Sequence, residues 1–230
     1  MVFSREDVIS AQERCLQIVD ENGLRCLTEK ETEEMLKDLV KKNRSYRGYD
    51  EAYRFTKEML MDFVDHARLA PSSVNAQPFR YYLAWEKEET DRIQALTKWA
   101  RALPQMELPH KGMCPTAFIV ICQDTRLGES LQRYQKDVGI VAQTMLLAAA
   151  EKELGGCMIG NFNAGEVKAE LKLPEYLAPM LIVAFGKPAE TIVLTELKEG
   201  GNCAYYRDEK DVHYVPKRKL KDIVISADID

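Results

Sequence analysis

The chain has 230 residues, 46% hydrophobic and 30% charged, which is enough for one substantial core with room for an appendage. A formal net charge of −5 argues against nonspecific nucleic-acid binding, and the charged start, 1–7, lacks the apolar run of a secretory leader. Six cysteines without a C-x-x-C pair and only three histidines signal neither a zinc site nor a disulfide framework, so reduced thiols in a cytoplasmic protein are expected.

Residues 4–42 read as two charged amphipathic helices. Ser4 with Asp7 and Thr28 with Glu31 have capping-box spacing, and Asn22-Gly23 separates the segments. Val8, Ile9, Cys15, Leu16, Ile18 and Val19 form one apolar set, and Met35, Leu36, Leu39 and Val40 another, so an N-terminal helical arm (1–42) is expected ahead of a domain spanning 43–230. A helix should begin after Thr56, with Met59, Leu60, Phe63, Val64, Ala67 and Leu69 giving it a buried face. A Pro71 to Pro78 loop then leads into a strand over 79–85.

Further along, a helix is expected near 90–101, followed by a linker holding Pro104, Pro109 and Pro115. The β-branched run 116–122 reads as a buried strand. A long helix over 129–154, apolar on nearly every side in its second half, should lie at the centre of the core and stop at Gly155-Gly156. The stretch 138–150 is broken by Gln143 and Thr144 and is too short to span a bilayer. After a short apolar run, 157–160, Asn163 and Glu166 can cap another helix. Residues 179–186 give a second buried strand, and the tail from Lys187 reads as irregular until 223–225. The class is mixed α and β.

Three groups of residues could carry chemistry. Ser72, Ser73, Asn75 and Gln77, pinned between Pro71 and Pro78, present hydroxyls and carboxamides without charge, which suits a neutral planar ligand with polar edges. Arg44 and Ser45 offer a fork of donors and a hydroxyl suited to a phosphate, while Arg47 can point elsewhere. Lys217, Arg218 and Lys219 form a second cationic cluster. Each also has an ordinary explanation: arginines in solvated pairs, a solvated basic turn, serines as turn formers. They become informative if they converge.

In order and spacing, 43–47 (NRSYR), 71–78 (PSSVNAQP), 137–143 (DVGIVAQ), 155–160 (GGCMIG) and 185–188 (FGKP) resemble FMN-dependent nitroreductases over about 43–226. The chain departs from that pattern at Asn43, where many relatives have arginine. The resemblance implies an α+β fold, a central mostly antiparallel sheet flanked by helices, in an intertwined homodimer with FMN at the interface. It places Arg44 and Ser45 on the FMN phosphate, with Lys217, Arg218 or Lys219 adding charge, and Arg47 beside the N1 and C2-carbonyl edge of the ring. Pro71, Ser72, Ser73, Asn75 and Gln77 would reach the flavin from the other subunit, and Met158, Ile159 and Gly160 would lie over the ring.

The activity so implied is reduction of nitroaromatics, quinones or similar small planar acceptors by NADH or NADPH in a ping-pong cycle. The cofactor would carry the difficult chemistry. That accounts for a sequence with no catalytic triad, no metal cluster, no P-loop and no G-x-G-x-x-G after a strand. Reductive dehalogenation or alkene reduction on the same scaffold, a non-catalytic flavin-storage protein, and an interaction protein built on the helical arm are the rival readings.

Overall fold

The computed structural model describes residues 17–20, 23–26 and 29–226. The chain divides into two units, 1–42 and 43–230. In the first, Gln17–Asp20 (β1) and Gly23–Cys26 (β2) pair antiparallel, with Asp20 opposite Gly23 and only two residues between the strands. This corrects the helix expected there. The β-branched pair Ile18-Val19 and the Asn-Gly sequence at 22–23, a strong hairpin signal, favour a hairpin over a continuous helical face. The rest of that expected helix, 4–16, lies outside the described residues. The second expected helix is present as Glu29–Lys42 (α1), with Lys41 and Lys42 placed favourably in its last turn.

The second unit is built on a four-stranded, fully antiparallel sheet of order β3-β4-β6-β5: Phe79–Ala84 (β3), Ala117–Asp124 (β4), Gly155–Ile159 (β5) and Leu177–Gly186 (β6). Strand β4 is buried along its whole length, as an apolar β-branched run demands. Its side chains alternate between two cores. Ala117, Ile119 and Ile121 face Lys57–Arg68 (α2) and Gln135–Glu151 (α4), where Leu60, Phe63, Ala142 and Met145 are fully buried. Phe118, Val120 and Cys122 face Lys87–Ala95 (α3) and Ala164–Glu170 (α5), represented by Ile93 and Val167. An antiparallel sheet covered on both faces by helices is the α+β architecture expected from the sequence.

Several boundaries differ from the sequence reading for physical reasons. Helix α3 ends at Ala95 because the chain beyond it pairs elsewhere: Thr97 bridges Phe162, and the Lys98 amide donates to the Asn161 carbonyl at 3.0 Å. Helix α4 begins at Gln135 and is stopped at Glu151, with Glu153 left-handed at φ 56°, so Gly155-Gly156 is not its terminator. Those glycines are strand residues. A Cβ on Gly156 would sit 2.3 Å from the Ala184 carbonyl oxygen, and one on Gly155 would sit 2.4 Å from the Tyr46 ring.

The tail is not irregular as expected. Ile192–Glu196 (β7), Tyr206–Arg207 (β8) and His213–Lys217 (β9) form a second sheet of order β7-β9-β8, in which β7 and β9 run parallel. Past β9 the chain makes a short 3-10 turn, Leu220–Asp222. Among the described residues Cys114, Cys122, Cys157 and Cys203 are free thiols, and no helix is long and apolar enough to cross a membrane.

Candidate active site

Segment 43–50 crosses the end of the main sheet and is held almost wholly by backbone. Ser45 bridges Gly156, the Tyr46 amide donates to the Gly156 carbonyl at 3.1 Å, Tyr49 bridges Pro188, and the Asp50 amide donates to Lys187 at 2.9 Å. The small residues at 155–156 permit this approach, and the buried Tyr49 hydroxyl closes the turn on the Tyr46 carbonyl at 2.7 Å. Arg44, Ser45 and Arg47 are thereby fixed on one wall of a crevice of about 350 Å³. Strand β9 also lines the crevice. Its period of two puts His213, Val215 and Lys217 on the crevice side.

The two cationic clusters therefore converge, and the structure separates the three candidates in the second. Lys217 lines the crevice. Arg218 and Lys219 lie past the strand end and are exposed, Lys219 pairing with Glu196 at 3.1 Å. No carboxylate lines the crevice among the described residues, so Arg44, Arg47 and Lys217 give it a single sign of charge. Burial draws the Arg44 guanidinium down from its ordinary value, although a guanidinium stays charged at neutral pH.

Arg47 is the most constrained of the cations, only 9% exposed. Its amide is held by Glu190, its guanidinium donates to the Ser45 carbonyl at 3.0 Å and stands 4.7 Å from the centre of the Tyr205 ring. Glu190 also pairs with Arg207, and both side chains are 2% exposed. Behind Tyr205, at 5.1 Å between ring centres, lies His213, with neither ring nitrogen hydrogen-bonded. Burial, followed by the nearby Arg47 and Arg207 charges, pushes its pKa down to about 4, so it is neutral at pH 7. Tyr205, Glu190, Arg207 and His213 were not singled out from the sequence. The alternation His213, Val215, Lys217 was the signal that could have found the last strand.

Arg47, Met158 and Tyr205 also line an adjoining crevice of about 400 Å³, to which Ile159 and Gly160 contribute. A Cβ on Gly160 would meet nothing within 4 Å, so the glycine borders open space where a flat molecule could approach the backbone. This combination of converging cations, an uncharged aromatic and thioether wall and an open glycine edge fits a phosphorylated planar ring. The volume of the first crevice falls within the roughly 300–1,000 Å³ range of small-molecule sites.

The Pro71–Pro78 loop lies elsewhere. Ser72 and Gln77 line a separate pocket of about 230 Å³ beside α2 and β3, and within one chain the loop does not join the cationic crevice. It is nonetheless tightly built. Buried Asp137 accepts from the Ser72 hydroxyl at 2.9 Å and the Ser73 amide at 2.7 Å, and the Gln77 amide donates to Ser72 Oγ at 3.1 Å. Val74, Asn75 and Gln77 are all left-handed, at φ 49°, 53° and 47°. Such strain in non-glycine residues persists only where the surroundings over-determine it, and Asp137 is what does so here. Pro71, Ser73 and Asn75 belong to this loop, and Val74 at its tip is 77% exposed.

The family model described as "Nitroreductase family" matches residues 40–187, more than half of the chain. The chain belongs to the nitroreductase family. Among curated members, an oxygen-insensitive NADPH nitroreductase of Helicobacter acinonychis is 24% identical over 171 residues, covering 60% of this chain and 81% of that protein. A solved nitroreductase family protein from Clostridium difficile 630 is 26% identical, with a TM-score of 0.53 over 66% of this chain and 84% of its own. A structure from Exiguobacterium sibiricum in complex with FMN shares the nitroreductase fold at 20% identity, with a TM-score of 0.56 over 67% and 88% of the two chains. The match to the family begins beside segment 43–47 and ends at Lys187, so the cation from β9 lies outside it.

Proposed function

We propose that this nitroreductase-family protein is an FMN-dependent oxidoreductase that uses NADH or NADPH to reduce planar electrophilic acceptors, nitroaromatics and quinones among them, in a ping-pong cycle. The observation that carries the reading is the convergence of Arg44, Arg47 and Lys217 on one carboxylate-free crevice. The FMN complex of the Exiguobacterium protein and the NADPH named for the Helicobacter enzyme support it.

In this reading Arg44, Ser45 and Lys217 hold the phosphate, because paired cations and a hydroxyl are the donor set a dianion requires. Arg47 is the cation for the ring. Fixed by Ser45, Glu190 and Tyr205 and largely withdrawn from water, it would stabilise negative charge beside it more strongly than a mobile surface arginine could. Met158, Ile159 and Gly160 line the adjoining space with groups that a planar molecule can lie against. Bound FMN would supply the hydride-accepting and hydride-donating chemistry, while the protein positions the reactants and excludes water. Ser72, Ser73, Asn75 and Gln77, held away from the crevice of their own chain, suit the site of a second copy in a homodimer.

The visible spectrum of the purified protein tests this reading. Bound flavin, or flavin taken up on addition of FMN and bleached by NADH or NADPH under anaerobic conditions, is the expected result. A colourless protein that binds no FMN would overturn it.

A further inference from the structure

The crevice beside Gly160 carries two cations to which the proposed function gives no role. Besides Arg47, its charged residues are Lys98 and Arg101, both exposed and both without an ion pair among the described residues. Again no carboxylate lines the space, although the chain as a whole is acidic. These cations are not on a wandering loop. The bridge from Thr97 to Phe162 and the bond from the Lys98 amide to Asn161 tie the segment to the chain that follows β5, and the Trp99 indole N–H bond to the Thr97 hydroxyl at 2.8 Å braces it internally. A left-handed Ala100, whose carbonyl accepts from the Leu103 amide at 2.7 Å, turns the backbone immediately before Arg101.

We infer that this crevice is the substrate compartment of the proposed flavin site and that it selects planar substrates bearing an anionic group, a carboxylate or a phosphate, which Lys98 and Arg101 hold at the outer rim. The inference rests on the functional reading above. A rim of one charge sign raises the local concentration of oppositely charged ligands, and because both cations are exposed the effect is screened by salt. The anionic oxygens could come from the extra phosphate that distinguishes NADPH from NADH, or from an acidic acceptor.

Two ratios distinguish the sources: kcat/KM for NADPH over NADH, and for 4-nitrobenzoate over the neutral 4-nitrobenzamide. At low salt at least one ratio should favour the anion by about five- to tenfold, as two solvent-exposed cations allow. It should shrink in about 0.3 M salt. Lys98→Gln with Arg101→Gln should abolish the preference, and Lys98→Glu with Arg101→Glu should invert it. Binding of the unreactive pair benzoate and benzamide, read from the perturbed flavin absorbance, should show the same order without turnover. Equal ratios in the parent protein, or a preference that survives both double variants, overturn the inference. Protein that binds FMN yet shows no anion preference sinks this inference alone, whereas failure to bind FMN sinks the reading beneath it as well.

Discussion

Asp137 shows how one side chain can set the shape of a whole loop. Its carboxylate receives two donors from Ser72 and Ser73, immediately before the left-handed run that contains a β-branched valine. Asp137→Ala leaves both donors without their acceptor and should cost about 1–3 kcal/mol. The midpoint of urea denaturation measures the loss, and Asp137→Asn, which keeps one acceptor oxygen, should recover part of it. His213 makes the opposite kind of contribution, because its ring is buried with no hydrogen bond to lose. Burial is the largest cause that holds the pKa near 4, the Arg47 and Arg207 charges add to it, and Asp211 opposes them. Above the ordinary histidine value of 6.5 both folded and unfolded chains are neutral here. As pH falls from 6.5 toward 4, the unfolded chain takes up a proton that the folded one refuses, so stability declines through that window. His213→Phe should keep stability at pH 7 and flatten this part of the melting-temperature profile; an unchanged acid slope would refute the assignment. Asp137 lay in plain view within the 137–143 motif, but only coordinates pair it with residues more than sixty positions earlier.

At the level of elements, the small β7-β9-β8 sheet matters as much to the site as the large one. Its order places Arg207 next to His213 across the β8–β9 register, and the buried Arg207–Glu190 pair anchors the sheet to the backbone of Arg47. Arg207→Ala strands a buried carboxylate and should cost about 3–5 kcal/mol in chemical denaturation. Replacing both buried partners, Arg207→Met with Glu190→Gln, should cost less, because no buried charge is stranded: Asp211, which also pairs with Arg207 at 2.9 Å, is 40% exposed and keeps access to water, and the glutamine can still accept from the Arg47 amide. This sheet escaped the sequence reading for a definable reason. Its strands have five, two and five residues, β9 contains Pro216, and only a long-range parallel pairing brings β7 to β9. By contrast β4, eight consecutive buried residues, and α2, with its Thr56 cap, carry their signals locally.

For the molecule as a whole, the separation of the Pro71–Pro78 loop from the cationic crevice of its own chain is the fact that assembly must explain. If the loop completes the site of a second copy, sedimentation velocity should give twice the chain mass of 26.3 kDa, and Val74→Lys at the exposed loop tip should weaken flavin retention. A monomer that retains flavin would show that the loop has another purpose. The order of motifs from 43 to 188, the buried strand and the helix that packs on it were determined by the sequence alone, because hydrophobic periodicity and local turn chemistry are written residue by residue. Which of three neighbouring lysines and arginines faces the crevice, which carboxylate restrains the strained loop, and where Arg47 finds its supports were decided only by the tertiary structure. Those outcomes depend on strand register and on contacts between residues far apart in the chain, whose free energy appears only once the fold has closed.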